Sequence, residues 1–365
     1  QYNSCIVRIP PIECSGSTKI TQQSHLPIIE NEKTMQSKAV VLQQRPVGMP
    51  KRSDFAIIET DVAEPGAGEI QVQNLCMSVD PYMRGRMIDR KSYVPPFKVG
   101  EVLTGGCIGR VSQSKHPDFA VGDHVSSPYG WREAYTSPVE GIERLGALVA
   151  DPSAYLGAIG MPGMTAYVGL LEVGALKEGE TVFVSGAAGA VGSIVGQIAK
   201  LKGCRVLGSA GSQDKVDMLT SELGFDYAFN YKDGTILNHL KEGAPKGIDV
   251  YFDNVGGDHL QSAIMHMRPF GRIALCGAIS IYNDTEPSPG PNNLAMAIGL
   301  GLTLRGFIVT HFNHLAADFR RDMEAWVTSG QVVYKETIYD GIEQAPDAFI
   351  GLFTGANTGK MVVNF

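Results

Sequence analysis

Thr181–Lys200 reads TVFVSGAAGAVGSIVGQIAK. An apolar run, a glycine-rich turn and a segment of helical periodicity follow one another without a break. Val191, Ile194, Val195 and Ile198 recur at i, i+3, i+4 and i+7, the stripe of a helix that buries one face. The pattern predicts strand, tight turn and helix. Such a turn aims backbone N–H groups at an anion, and the helix dipole adds to the attraction. The strict G-x-G-x-x-G spacing is not met. Ala187 occupies the first glycine position, which leaves Gly186, Gly189 and Gly192 three apart. Ala187 is small enough for the turn, and Gly189 and Gly192 permit close approach of a diphosphate and packing of helix on sheet. The stretch reads as a dinucleotide-binding turn, with a purely structural glycine turn as the alternative.

The sequence around it supports the first reading. Downstream, the apolar runs RVLGSA, YAFNY, IDVYFDNV, RIALCG and TLRGFIV alternate with helix-length segments. Alternation of this kind predicts βαβ units and a parallel sheet covered on both faces. Upstream, from Lys38 to about Pro138, short apolar runs are separated by Pro, Gly and Asp clusters, the signature of β-structure. Near the end, Ile342, Ala345, Phe349 and Leu352 fall at helical spacing and KMVVNF reads as a last strand. A lone helix and strand cannot bury a core, so this tail is expected to return to the first domain. The fold class expected is α/β: a β-rich domain followed by a doubly wound one.

With 365 residues the chain is long enough for about two domains. Its 44% hydrophobic and 19% charged residues allow a large core. A net charge of -7 gives no general reason to bind nucleic acid or an anionic membrane, and no apolar run reaches the roughly 20 residues of a membrane helix. The six cysteines are scattered, with no C-x-x-C pair, and are expected to be reduced thiols in a cytoplasmic protein. Residues 1–34 lack periodicity and are expected to be an extension outside the fold, which opens at Met35.

The strand after the glycine turn ends in Ser209-Ala210-Gly211-Ser212. An NAD site places a carboxylate near there for the ribose 2′-hydroxyl. None is present at the tip, and Lys215 follows shortly, so a 2′-phosphate and hence NADPH is expected. Lys215 could equally be a solvated helix lysine, and Asp214 beside it argues mildly the other way. No metal is expected. Catalytic zinc needs three protein ligands, and neither close histidine pair, His311/His314 or His259/His266, has a cysteine beside it.

The motifs SVDPYMRGRM, GMPGMTAYVGLL, GAAGAVGSIVGQIAKLKGC, FDNVGG, CGAISIYN, GFIV and GANTGK together resemble the zinc-independent medium-chain dehydrogenase/reductases. Within these, the resemblance is to the alkenal/one reductases of the leukotriene B4 12-hydroxydehydrogenase (prostaglandin reductase) branch. SYVPPF and PKGIDVYFDNVGG bring it nearest the bacterial curcumin reductases. It runs from Met35 to Phe365. It implies a GroES-like β-rich catalytic domain over residues 35–161 and 312–365 and a Rossmann NADPH-binding domain over 162–311. Gly189, Ala190, Val191 and Gly192 would line the diphosphate. Ser212, Lys215 and Tyr231 would lie at the 2′-phosphate end. Thr165, Asn254, Cys276, Gly277, Ala278, Ile279 and Ser280 would flank the nicotinamide half, with Phe307, Ile308 and Val309 offering backbone groups and Asn357 reaching back from the tail. Tyr282 would orient substrate and nicotinamide ribose, and Tyr82 would line the substrate pocket. Where zinc relatives carry ligands, this chain has Met77 (Cys76 one step off) and Gly105-Gly106.

The activity implied is NADPH-dependent reduction of the C=C bond of an enone or enal by a homodimer. Three alternatives remain open at this stage: an NADPH:quinone oxidoreductase, a non-catalytic NADPH-binding protein, and a zinc alcohol dehydrogenase.

Overall fold

The computed structural model describes residues 34–365. The expectation for residues 1–33 lies outside the described residues. The chain opens with the hairpin partners Met35–Leu42 (β1) and Phe55–Val62 (β2), followed by Glu69–Ser78 (β3), the short helix Met83–Arg86 (α1), Cys107–Ser114 (β4), His124–Ser127 (β5), Ala134–Pro138 (β6) and Glu143–Arg144 (β7). Met161–Val168 (α2) leads into the second layer. There Thr181–Val184 (β8), Gly192–Leu201 (α3), Arg205–Ala210 (β9), Gln213–Ser221 (α4), Tyr227–Asn230 (β10), Ile236–Gly243 (α5), Ile248–Asp253 (β11), Gly257–His266 (α6), Met267–Leu275 (β12), Met296–Leu300 (α7) and Thr303–Gly306 (β13) alternate as expected. The tail is Ala316–Thr328 (α8), Glu336–Asp340 (β14), Ala345–Thr354 (α9) and Lys360–Asn364 (β15).

The six strands β8–β13 form one parallel sheet in the order β10-β9-β8-β11-β12-β13. The chain winds outward from β8 in one direction, returns, and winds outward from β11 in the other. Between β8 and β11 the order reverses, and the crevice beyond the carboxyl ends of those strands is where ligands bind in doubly wound sheets. Val182, Phe183, Val184, Val250, Tyr251 and Phe252 are buried there, each fully buried side chain contributing about 1.5–3 kcal/mol. Helix α3 buries more than the stripe read from sequence. Gly196 and Gln197 are covered too, because a Cβ on Gly196 would stand 2.0 Å from the Phe225 ring.

The second sheet has the order β14-β15-β3-β4-β5-β7, with β6 on β3. β15 pairs antiparallel with β3 and parallel with β14, so the tail does return to the first half of the chain. Helix α8 leans the other way: Tyr167 of α2 donates to Asp322 at 2.8 Å and packs on Phe319. The expected strand TLRGFIV stops at Gly306, because Val309–Leu315 turns into a 3-10 helix.

Candidate active site

The crevice begins at the glycine turn. Gly186 has φ +59°, in the left-handed region, and a Cβ on Gly192 would stand 2.4 Å from Gly186 O and 2.8 Å from Ala187 Cα. Only glycine fits at 192. Gly189 donates its own N–H to Gly186 O at 3.1 Å. Ala190 and Val191 donate no backbone hydrogen bond among the described residues, and no side chain caps α3. Two N–H groups at a helix N-terminus are therefore free for an anion. From the tail, Gly359 donates to Ala188 O at 2.7 Å, and Asn357 Nδ2 donates to Gly359 O at 2.8 Å. Asn357 thereby joins the turn.

The tip of β9 carries Gly211 and Ser212, where α4 starts without a side-chain cap. Lys215 Nζ donates to Gly355 O at 2.8 Å. Burial lowers its pKa, and the charge of Lys232 lowers it further. Lys232 lies 5.8 Å from the Tyr231 ring centre, and a Cβ on Gly211 would meet Tyr231 Oη at 3.3 Å. Neither lysine is in an ion pair among the described residues. Two cations with no carboxylate partner suit a phosphate better than a ribose hydroxyl. Lys232 escaped the sequence reading, although FNYK contains it.

At the opposite end, the buried Asp253 carboxylate closes the FDNVGG turn. Its Oδ1 accepts from Tyr251 Oη at 2.7 Å, Gly256 N at 2.8 Å and Val255 N at 3.0 Å. Asn254 is fixed by Ser185, whose carbonyl accepts from Asn254 Nδ2 at 2.8 Å and whose hydroxyl accepts from Asn254 N at 3.0 Å. The segment Cys276–Ser280 is stitched to this turn. Cys276 and Gly277 donate to Asp253 O, both at 2.9 Å, Ile279 to Asn254 O at 3.3 Å, and Ser280 Oγ to Val255 O at 2.6 Å. Leu275 pairs with Gly306, so Phe307, Ile308 and Val309 emerge beside Cys276. The Phe307 side chain packs edge-on against Phe252, which leaves its backbone for the crevice. Thr165 donates back to Met161 O at 2.7 Å within its helix.

Tyr282 is half-buried, and its Oη accepts from Ala278 N at 3.2 Å. Burial pushes its pKa up, with Cys276 and Asp253 adding to the rise and the Ala278 N–H opposing it. The phenol is thus a proton-bearing donor at neutral pH. Tyr82 is pushed well above the ordinary tyrosine value, first by burial and then by Asp80, against the pull of Arg86. A third tyrosine acts electrostatically on both and was not singled out from the sequence. Tyr93, 63% exposed as a whole residue, has its pKa raised by partial burial and then by Tyr282, against the pull of Arg86, and it in turn raises Tyr82. Arg86 secures its loop by donating to Pro95 O at 3.0 Å and lying 3.9 Å from the Phe97 ring centre. The only signal in the sequence was the SYVPPF motif itself. Burial also pushes the Cys276 thiol up to about 12; it remains a thiol beside the phenols, not a thiolate.

No group of three His, Cys, Asp or Glu side chains gathers as a metal site among the described residues. Around Gly105 the space is taken: a Cβ there would stand 2.5 Å from Met83 Cε and 3.2 Å from Trp131 Nε1.

Comparison with known proteins gives a consistent result. The family described as "N-terminal domain of oxidoreductase" matches residues 38–145, and "Zinc-binding dehydrogenase" matches residues 190–328. The NADPH-dependent curcumin reductase of Escherichia coli (strain K12) is 44% identical over 328 residues, 88% of this chain and 95% of that protein. The 2-alkenal reductase (NADP(+)-dependent) of Nicotiana tabacum is 45% identical over 336 residues, 90% of this chain and 97% of that one. The crystal structure of CurA from Vibrio vulnificus in complex with NADPH superposes with a TM-score of 0.86 at 42% identity, covering 90% of this chain and 98% of that one. The chain belongs to the medium-chain dehydrogenase/reductase family, in the branch of the curcumin and alkenal reductases.

Proposed function

We infer that the protein is an NADPH-dependent reductase of the carbon–carbon double bond in α,β-unsaturated ketones and aldehydes. The observation that carries this reading is the half-buried Tyr282 phenol on the loop that follows β12, fixed by the Ala278 N–H, in a chain whose glycine turn leaves the Ala190 and Val191 N–H groups free for a diphosphate. Relatives whose names state NADPH-dependent curcumin and alkenal reduction share more than two-fifths of their residues with the chain.

The residues fit a phosphorylated dinucleotide. The free N–H groups of Ala190 and Val191, with Gly189 and the Cβ-free Gly192, would hold its diphosphate. Lys215, Ser212 and Tyr231, joined by Lys232, would hold the 2′-phosphate. Thr165, Asn254, Cys276, Gly277, Ala278, Ile279, Ser280, Asn357 and the backbone of Phe307, Ile308 and Val309 would flank the nicotinamide half. The chemistry drawn from the bound cofactor is a hydride for the substrate β-carbon. The protein then has to meet the negative charge that develops on the carbonyl oxygen. Tyr282 Oη–H is the side-chain donor placed for this, and backbone N–H groups supplement it. Tyr82 would line the substrate pocket. The α-carbon then takes one proton, from Tyr282 or from water, which completes the saturated ketone.

Loss of one donor to a developing oxyanion costs about a hundredfold or more in turnover. Tyr282→Phe should do so with saturating enone while NADPH affinity is retained. Unchanged turnover would remove Tyr282 from the chemistry.

The reading extends to domains and assembly. Residues 35–161 and 312–365 form the catalytic domain and 162–311 the cofactor domain. The pairing of β15 with β3 supports this division, with α8 packing across it. The enzyme is a cytoplasmic homodimer that joins through β13. In support, β13 is a sheet edge, with Phe270 (79% exposed) and Ile298 (86%) beside it, and Cys76, Cys107, Cys204 and Cys276 are free thiols. No helix among the described residues is long and apolar enough to cross a membrane.

A further inference from the structure

Two segments carry the tyrosines of the cleft, and one buried side chain joins them. Arg84 stands two residues after Tyr82, on α1, and Asn283 directly follows Tyr282. Arg84 Nε donates to Asn283 Oδ1 at 3.0 Å, and its Nη2 donates to Gly48 O at 2.9 Å. Gly48 sits against the same loop. A Cβ on it would lie 3.6 Å from Thr285 Cγ2 and 3.8 Å from Asn283 O. Three stretches far apart in the chain, around Gly48, Arg84 and Asn283, therefore meet at one guanidinium.

This arginine is costly to keep. It is 2% exposed, its Nη1 has no hydrogen-bond partner among the described residues, and no carboxylate forms an ion pair with it there. Burial lowers its pKa, with only the charge of Asp54 acting the other way on that account. A buried guanidinium with an unpaired N–H opposes folding, where an apolar side chain of similar length would not. A methionine at this position could fill the space but could not donate to two acceptors at once. The contact it makes is with the loop that needs an anchor. Tyr282 is tied to its own segment by Ala278, and beyond Asn283 residues 284–290 are all exposed.

We propose that Arg84 is a positioning residue, whose guanidinium clasps Asn283 and so holds the Tyr282 loop against the Tyr82 wall of the substrate cleft. The inference rests on the reading of Tyr282 as the donor to substrate. A donor acts on a developing charge only when held within about 0.5 Å of its productive place. The clasp supplies that restraint in addition to the Ala278 N–H.

The test is steady-state kinetics of the full-length enzyme with NADPH and a linear alk-2-enone. The variants are Arg84→Met, Asn283→Leu, the two combined, and Tyr282→Phe. NADPH affinity by fluorescence titration serves as a check on the cofactor crevice. Each clasp variant is expected to lower kcat/KM for the enone tenfold or more. The double variant should lose no more than the worse single one, and NADPH affinity should stay within twofold. Arg84→Lys keeps the charge but not the fork, so it recovers little. If Arg84→Met fails to fold, Asn283→Leu decides alone, since it leaves the buried guanidinium in place. Losses that multiply in the double variant, or an Asn283→Leu enzyme within twofold of the parent, overturn the proposal. Tyr282→Phe separates the two readings. A full-speed Tyr282→Phe enzyme beside impaired clasp variants would refute the donor role and, with it, the clasp as a restraint on that donor. The reverse pattern would refute the clasp alone.

Discussion

Lys215 is the residue at which the proposed choice of NADPH over NADH would turn. It is half-buried, it lies near a second cation, and its one hydrogen bond goes to a main-chain carbonyl. A phosphate at that point would relieve the repulsion between Lys215 and Lys232 and provide the missing counter-charge. A charge-assisted hydrogen bond contributes about 1.5–3 kcal/mol, which is roughly 10- to 100-fold in affinity. Lys215→Ala should raise the NADPH Kd by that factor and leave the weaker NADH binding within about threefold, as read by fluorescence titration at fixed ionic strength. Equal losses for both cofactors would mean that Lys215 supports the crevice and does not read the phosphate. The lysine was legible in sequence because the tip of β9 lacks an acid, a local feature. Lys232 and Tyr93 were not legible. Each becomes meaningful only through a neighbour from another part of the chain, Lys215 for the one and Tyr282 for the other, and neither spacing nor periodicity encodes that meeting.

The strand–turn–helix unit β8–α3 shows how a glycine pattern translates into space. A Cβ on Gly192 would press on the backbone of Gly186 and Ala187, whereas one on Gly189 would stand at 3.3 Å from Gly186 O and meet little else. Gly192→Ala must move the turn, and overpacking of this kind costs about 1–3 kcal/mol. We expect a lower melting temperature together with NADPH binding weakened at least tenfold. Gly189→Ala should melt within a few degrees of the parent, which a paired thermal and binding assay would check. The elements of the parallel sheet were readable because each apolar run is short, rich in β-branched or aromatic residues, and set off from the next by a helix-length segment. The ends of two of them were not. β12 begins at Met267, ahead of the expected RIALCG, and includes Phe270 at φ +63° where Arg-Pro-Phe-Gly reads as a turn. β13 ends early because Phe307 packs on Phe252 and the chain then turns into a helix, a tertiary preference that overrides the β-propensity of Phe-Ile-Val.

The return of the tail is what makes the molecule whole, and a buried ion pair marks the place. Lys360, 3% exposed on β15, bridges to Asp80 at 3.2 Å and also donates to Val79 O at 2.9 Å and Met361 O at 2.8 Å. Asp80 in turn accepts from Ser78 Oγ. The pair thus welds the last strand to the loop that leads to Tyr82, while Gly359, just ahead of that strand, touches the glycine turn. The return itself was foreseeable, since an amphipathic helix and a strand need a core to complete. The parallel pairing of β14 with β15 and the lean of α8 were not, because both depend on which surfaces the rest of the chain leaves open. Removing one partner of a buried pair costs about 3–5 kcal/mol, since the other charge is left unpaired. Domains of 150–250 residues lose roughly 2–4 °C per kcal/mol, so Lys360→Met should lower the melting temperature on the order of 10 °C. Replacing both charges, with Asp80→Leu added, should restore part of that loss, because two apolar groups carry no stranded charge. The cost should also change little between low and high salt, since a buried pair is poorly screened. A Lys360→Met protein that melts with the parent would show that solvent reaches Asp80 and that the tail is held by its strand hydrogen bonds and core packing alone.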